Sequence, residues 1–111
     1  MTVDDPRIQV AACLAELSHE LESLGVPVTT VRDPDGRACL EAKDRWGRAR
    51  RIYVFTQFFW FIWGVHPDER HSVFQVGETA VRLARLAGGQ GWPSHEADLG
   101  ELARTLDMYL P

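Results

Sequence analysis

Ile52-Tyr53-Val54-Phe55-Thr56-Gln57-Phe58-Phe59-Trp60-Phe61-Ile62-Trp63 carries seven of the eleven aromatic residues of the chain and no charge. Its β-branched and aromatic side chains, without Ala, Glu or Lys, favour extended backbone over helix. As a single strand, Arg50 to Trp63 would reach roughly 45 Å at about 3.3 Å per residue, whereas strands usually run to five or six residues. Two strands are therefore expected, about Arg50–Phe55 and Phe58–Trp63, folded back at Thr56-Gln57. Large apolar side chains then point to both faces of the sheet, and both faces need cover.

On the N-terminal side of this stretch, Asp44-Arg45-Trp46-Gly47 reads as a turn. Before it, Ala38 to Lys43 alternates Ala38, Leu40 and Ala42 against Cys39, Glu41 and Lys43, as a strand does. Asp33-Pro34-Asp35-Gly36 is a reverse-turn sequence, because Pro presets φ and Gly tolerates φ > 0. Val26 to Val31, rich in Val and Thr, is a further strand. At the N-terminal side, Asp5 as cap and Pro6 at the first helical position open a helix. Its stripe is Val10, Leu14, Leu17, Leu21 and Leu24, with Glu16, Glu20 and Glu22 opposite, and Gly25 and Pro27 end it.

Downstream, Gly64 to His71 is polar and contains Pro, hence a loop, and Ser72 to Val76 adds a short strand. Glu78 to Ala87 forms a helix with Ala80, Leu83, Ala84 and Ala87 on one face. Gly88-Gly89-Gln90-Gly91-Trp92-Pro93 terminates it as a flexible connection. Ser94 caps a last helix with the stripe Leu99, Leu102, Ala103, Leu106 and Leu110. The expected architecture is α+β over residues 1–111 as one domain. An N-terminal helix comes first, then an antiparallel sheet of four to five strands, then two C-terminal helices packed on the sheet.

The chain of 111 residues suffices for one hydrophobic core. Cys13 and Cys39 lack CxxC spacing and a disulfide-dense context, so reduced thiols are expected. The first residues show neither a basic n-region nor an apolar h-region, which argues against export. The aromatic run is too short for the roughly 20 residues of a membrane-spanning helix. A cytoplasmic location follows as the expectation, with no membrane association. Seven bases and four acids fall between Arg32 and Arg51, a local +3 on a chain of net −4. One basic edge on an acidic body is the result.

If helices cover one sheet face, the other shows three or four large rings, on the order of 600–800 Å² at about 150–250 Å² each. That exceeds the largest patch of an ordinary monomer, about 300–600 Å², and approaches the ~800 Å² per side of a specific interface. Phe59, Phe61 and Trp63, with Trp46 at its turn, are therefore the expected partner contacts. A shift of one residue in register substitutes Phe58, Trp60 and Ile62. The expected partner is a second copy or a larger protein. The competing reading encloses the rings within the chain as a core.

Arg45, Arg48, Arg50 and Arg51 surround Trp46 and supply the residue types that bridge phosphates and stack on bases. Asp44 and Glu41 interrupt them, and charges on a hairpin edge also discourage aggregation. An anion or nucleic-acid contact is thus the alternative. His66, Asp68, Glu69 and His71 share a loop but match no metal-ligand spacing. They contain the ingredients of acid–base chemistry, as many polar loops do. Gly88-Gly89-Gln90-Gly91 follows a helix and lacks a GKS or GKT ending, unlike a phosphate-binding loop. No catalytic residue, cofactor or metal is expected.

Phe59-Trp60-Phe61-Ile62-Trp63-Gly64, a short polar loop, the helix Thr79-Ala80-Val81-Arg82-Leu83-Ala84-Arg85-Leu86-Ala87-Gly88 and the upstream Gly36-to-Leu40 segment together resemble a group of small uncharacterised actinobacterial proteins. The resemblance implies a non-enzymatic accessory or regulatory role beside helix-turn-helix regulators or larger partners. Trp92 to Pro111 departs from that pattern. The helix-on-sheet order is also similar to dimeric secretion-chaperone folds, an analogy of architecture alone.

Overall fold

The computed structural model describes residues 6–93. Helix α1 (Pro6–Ser23) is followed by strands β1 (Val28–Arg32), β2 (Ala38–Lys43), β3 (Ala49–Phe55), β4 (Trp60–Ile62) and β5 (Arg70–Ser72), then by helix α2 (Val76–Gly88). All five strands form one antiparallel meander in sequence order. Both helices lie on one face and pack on each other. The expected α+β order holds, with one helix after the sheet among the described residues. The expected last helix, like the Asp5 cap, lies outside them.

Leu14, Leu17 and Leu21 of the α1 stripe are buried, whereas Leu24 is exposed beyond the helix end. The helix closes as a Schellman turn, because Val26 N–H donates to the Leu21 carbonyl and Gly25 adopts φ 83°. From the sheet, Leu40, Ala42, Ile52, Val54, Phe61 and Trp63 meet these leucines and Ala80, Leu83 and Ala87 of α2. The opposite face gathers Cys39, Tyr53, Phe55 and Ile62, with Val31 and Trp60 against them. The two cysteines are free and sit on different faces. Burial raises both thiol pKa values; beside Cys13 the Glu16 charge adds to the rise.

The first two hairpin turns repeat one chemical device. Asp33 Oδ1 accepts the N–H groups of Asp35 and Arg37, and Asp44 Oδ1 accepts those of Trp46 and Arg48. Gly36 and Gly47 take the positive φ that each turn needs. In sequence this is D-x-x-G-R, with a carboxylate organising the donors of its own turn.

Several boundaries differ from expectation: β4 begins at Trp60 and not at Phe58, because the turn takes all four of residues 56–59, and α2 begins two residues before Glu78. The segment read as loop up to His71 contains β5, since Trp63 N–H bonds the Glu69 carbonyl and Val73 N–H bonds the Phe59 carbonyl. Of the segment read as strand from Ser72 to Val76, Ser72 ends β5, Val73 to Gln75 turn the chain, and Val76 opens α2. Pairing with β4 overrides the polar composition of Arg70-His71-Ser72.

Candidate interaction surface

Four of the seven rings in the aromatic stretch are buried on one face or the other: Tyr53, Phe55, Phe61 and Trp63. Phe61 and Trp63, expected to touch a partner, face the helices instead, at 0 % and 2 % exposure. Register decides this. Val54 pairs with Phe61, and Val54 shares its face with Ile52, which pairs with Leu40 beneath α1. The one-residue alternative, Trp60 and Ile62, occupies the other face, where Ile62 is buried and Trp60 half-buried under the Arg70 guanidinium, 4.7 Å from its ring centre.

What remains exposed is a knuckle at the β3–β4 turn. Phe58 and Phe59 are 38 % and 54 % exposed, and Phe74, in the turn before α2, is 77 % exposed. At about 200 Å² per ring, these fractions leave roughly 340 Å² of aromatic surface. That is half the area expected from the sequence, because the fold encloses the other rings. Phe59 packs on Phe74 with centroids 5.4 Å apart, and Phe58 stacks on Trp60 at 5.5 Å. The geometry follows from the backbone: Phe59 N–H donates to Thr56 and its carbonyl accepts Val73 N–H at 2.8 Å. Phe74 N–H is then held by Ser72 Oγ at 3.1 Å.

Phe59 has φ 57°, the one non-glycine residue with positive φ among the described residues. A bulky side chain in this region costs on the order of 1–2 kcal/mol. Phe74 escaped sequence reasoning because the segment around it reads as a strand. The available signal was the β3–β4 turn itself, which has no Gly, Asn or Asp to take the left-handed position.

Trp46 is exposed as expected, but it belongs to a clasp. The Arg45 and Arg48 guanidinium carbons lie 5.0 and 5.8 Å from its ring centre. Asp44 Oδ2 accepts Arg48 Nε and the backbone N–H of Trp92, both at 3.0 Å. Arg48 also donates to the Trp92 carbonyl, and Trp92 Nε1 to the Ala42 carbonyl. Gly91 has φ 81°, and a Cβ there would meet Asp44, Trp46 and Arg48. Of the segment read as a flexible connection, Gly88 ends α2 and residues 89–93 are thus a strap docked on the β2–β3 hairpin. Burial works to raise the Asp44 carboxyl pKa, but the N–H groups of Trp92, Arg48 and Trp46 and the Arg48 side chain outweigh it, and the pKa falls below its usual value.

The four arginines named as an anion contact do not converge. Arg48 serves the clasp, and Arg50 is half-buried, donating to Glu69 and to the carbonyls of Trp63 and Pro93. Arg51 pairs with Glu41, on the sheet face opposite Arg50. Arg45 is exposed beside Trp46.

A cleft of about 1210 Å³ lies between the β4–β5 loop, the outer side of α2 and the strap. His66, His71, Glu78, Arg82 and Arg85 line it. His71 Nδ1 bonds Thr79 Oγ1 at 2.8 Å, and Arg82 donates to the Asp68 carbonyl and lies over Trp63. Charges of both signs alternate around it, and the Thr79 hydroxyl that meets His71 is fully buried. Among the described residues no three His, Cys, Asp or Glu side chains group as metal ligands, and no helix is long and apolar enough to cross a membrane. No family model, curated protein or solved structure matches this chain.

Proposed function

We propose that this chain is a non-catalytic protein-interaction module whose contact is the knuckle of Phe58, Phe59 and Phe74. The observation that carries this reading is Phe59: its backbone is held in a costly conformation that puts an apolar ring into solvent against a second exposed ring. Strain of this kind persists where surrounding structure imposes it, and it clusters at functional sites. Aromatic anchors packed together are also the residue type that dominates binding energy in interfaces. With roughly 340 Å² against the ~800 Å² per side of a standard interface, the knuckle is an anchor within a larger, more polar contact.

The nucleic-acid alternative is less well supported, since three of its four arginines are engaged or face apart. An accessory or regulatory role beside a larger protein accords with the knuckle reading. The test is a photo-crosslinking side chain at position 74 of the chain produced in its own cells. One discrete adduct is expected there, and none from the same group at Val81 on α2. No adduct at 74, or equal labelling at both positions, overturns the proposal.

A further inference from the structure

We infer that β1 is the seam of a two-fold dimer, in which two copies pair β1 with β1, antiparallel and centred on Thr30, to make one continuous sheet. The inference is independent of the knuckle, which sits at the β4–β5 end of the sheet.

Hydrogen-bond parity is the first support. Asp33 N–H donates to the Arg37 carbonyl, and Lys43 N–H donates to the Pro27 carbonyl. In an antiparallel ladder bonded pairs alternate, so Val31 with Cys39 and Thr29 with Glu41 exchange the bonds in between. The backbone groups of Val28, Thr30 and Arg32 therefore point away from β2, along the free edge. Thr29, Thr30 and Arg32 are exposed. Among the described residues that edge carries one charge, Arg32, as its guard: Val28–Arg32 contains no Pro or Lys, and its register with β2 runs without a bulge. The other edge strand, β5, has three residues, the first of them Arg70.

Self-complementarity is the second support, and it specifies the occupant. Centring on Thr30 places Thr30 opposite Thr30, Thr29 opposite Val31 and Val28 opposite Arg32. Every outward N–H and carbonyl of the strand then finds a partner. The Thr29–Val31 and Thr30–Thr30 neighbours are β-branched pairs, which favour pairing, and Val28 faces Arg32 at each end. Arg32, the one charge in the strand, sits at its end. The two copies of it stand about 13 Å apart, at about 3.3 Å per residue, beyond the screening length near 8 Å at physiological salt. Each guanidinium donates to the Gly36 carbonyl of its own hairpin turn at 2.6 Å, which holds it at the end of the seam.

The experiment is sedimentation of the full chain over about 1 to 100 µM, the range of a modest self-affinity. The wild type is expected to dimerise. Thr30→Pro removes an N–H that β2 does not use, leaving the intramolecular ladder intact, and is expected to weaken the dimer about tenfold or more. Thr30→Cys is expected to form a disulfide-linked dimer under mild oxidation, since Cα atoms of a bonded antiparallel pair lie about 5.5 Å apart, within disulfide reach. Wild type and Thr29→Cys serve as blanks and should not cross-link. A wild type that stays monomeric throughout, a dimer unaffected by Thr30→Pro, or a Thr30→Cys variant that does not cross-link overturns the inference. Phe74→Ser is expected to leave the dimer intact; losing it would assign self-association to the knuckle and overturn the β1 seam.

Discussion

The rings of Phe59 and Phe74 sit 5.4 Å apart, tilted by 32°, because Val73 N–H donates to the Phe59 carbonyl and carries the next residue alongside. This pair turns a strand connection into a surface feature. One ring is held out by a left-handed backbone, the other by the turn into α2. Neither contributes to the buried clusters on the two faces of the sheet.

The other rings of the stretch are structural. Phe61→Ala should cost about 3–5 kcal/mol, as large-to-small changes in a core do. Trp63→Arg should prevent folding, because it buries a charge without a partner beneath α2. Circular dichroism and urea unfolding check both. A folded, soluble Trp63→Arg variant would mean that this ring does not face the helices.

Tyr53 ties the opposite face to a turn, through a 2.7 Å bond from its hydroxyl to Asp33 Oδ2. Burial, and then this bond to Asp33, push the phenol pKa above its usual range. Tyr53→Phe should destabilise the chain by about 1–2 kcal/mol, the loss of a bond to an ionised acceptor. Urea midpoints of the two proteins at neutral pH measure it.

Acid should loosen the fold through the two turn aspartates. Burial works to raise the Asp33 pKa, but the Tyr53 hydroxyl, the N–H groups of Arg37 and Asp35 and the Arg37 charge outweigh it. Asp33 and Asp44 thus both have depressed folded-state values. Such carboxylates stabilise the fold fully above their unfolded value, near 4, and withdraw that stability as pH falls through the folded values. Denaturation midpoints between about pH 2 and 6 should drop on acidification. In Asp33→Asn with Asp44→Asn the drop should be smaller.

Asp44→Ala should release the strap. The Trp92 amide now ends on Asp44 Oδ2 at 3.0 Å. Hydrogen exchange at Trp92 is expected to accelerate in the variant, while amides of the α1–sheet core keep their protection.

Much of the scaffold is readable in the chain. The α1 stripe, the alternation in Ala38–Lys43 and both D-x-x-G-R turns announce themselves through periodicity and turn chemistry. The face of each aromatic residue is not readable, because β3 and β4 are apolar on both sides and a one-residue shift exchanges the sets. β5 is hidden for the opposite reason. Arg70-His71-Ser72 has no strand composition and is extended only because β4 pairs with it. The strap was legible as glycines, but its docking depends on Asp44, some 48 positions away.

The sharpest test of the knuckle is the stability of the isolated chain carrying Phe59→Gly and Phe74→Ser. Glycine relieves a left-handed backbone that costs about 1–2 kcal/mol, and the lost ring pair is worth about 0.5–1.5 kcal/mol. The two nearly cancel, so rings kept for contact predict unfolding within about 0.5 kcal/mol of wild type, or a gain. A loss above about 2 kcal/mol, the scale of a core truncation, would make the knuckle part of the fold and contradict the account.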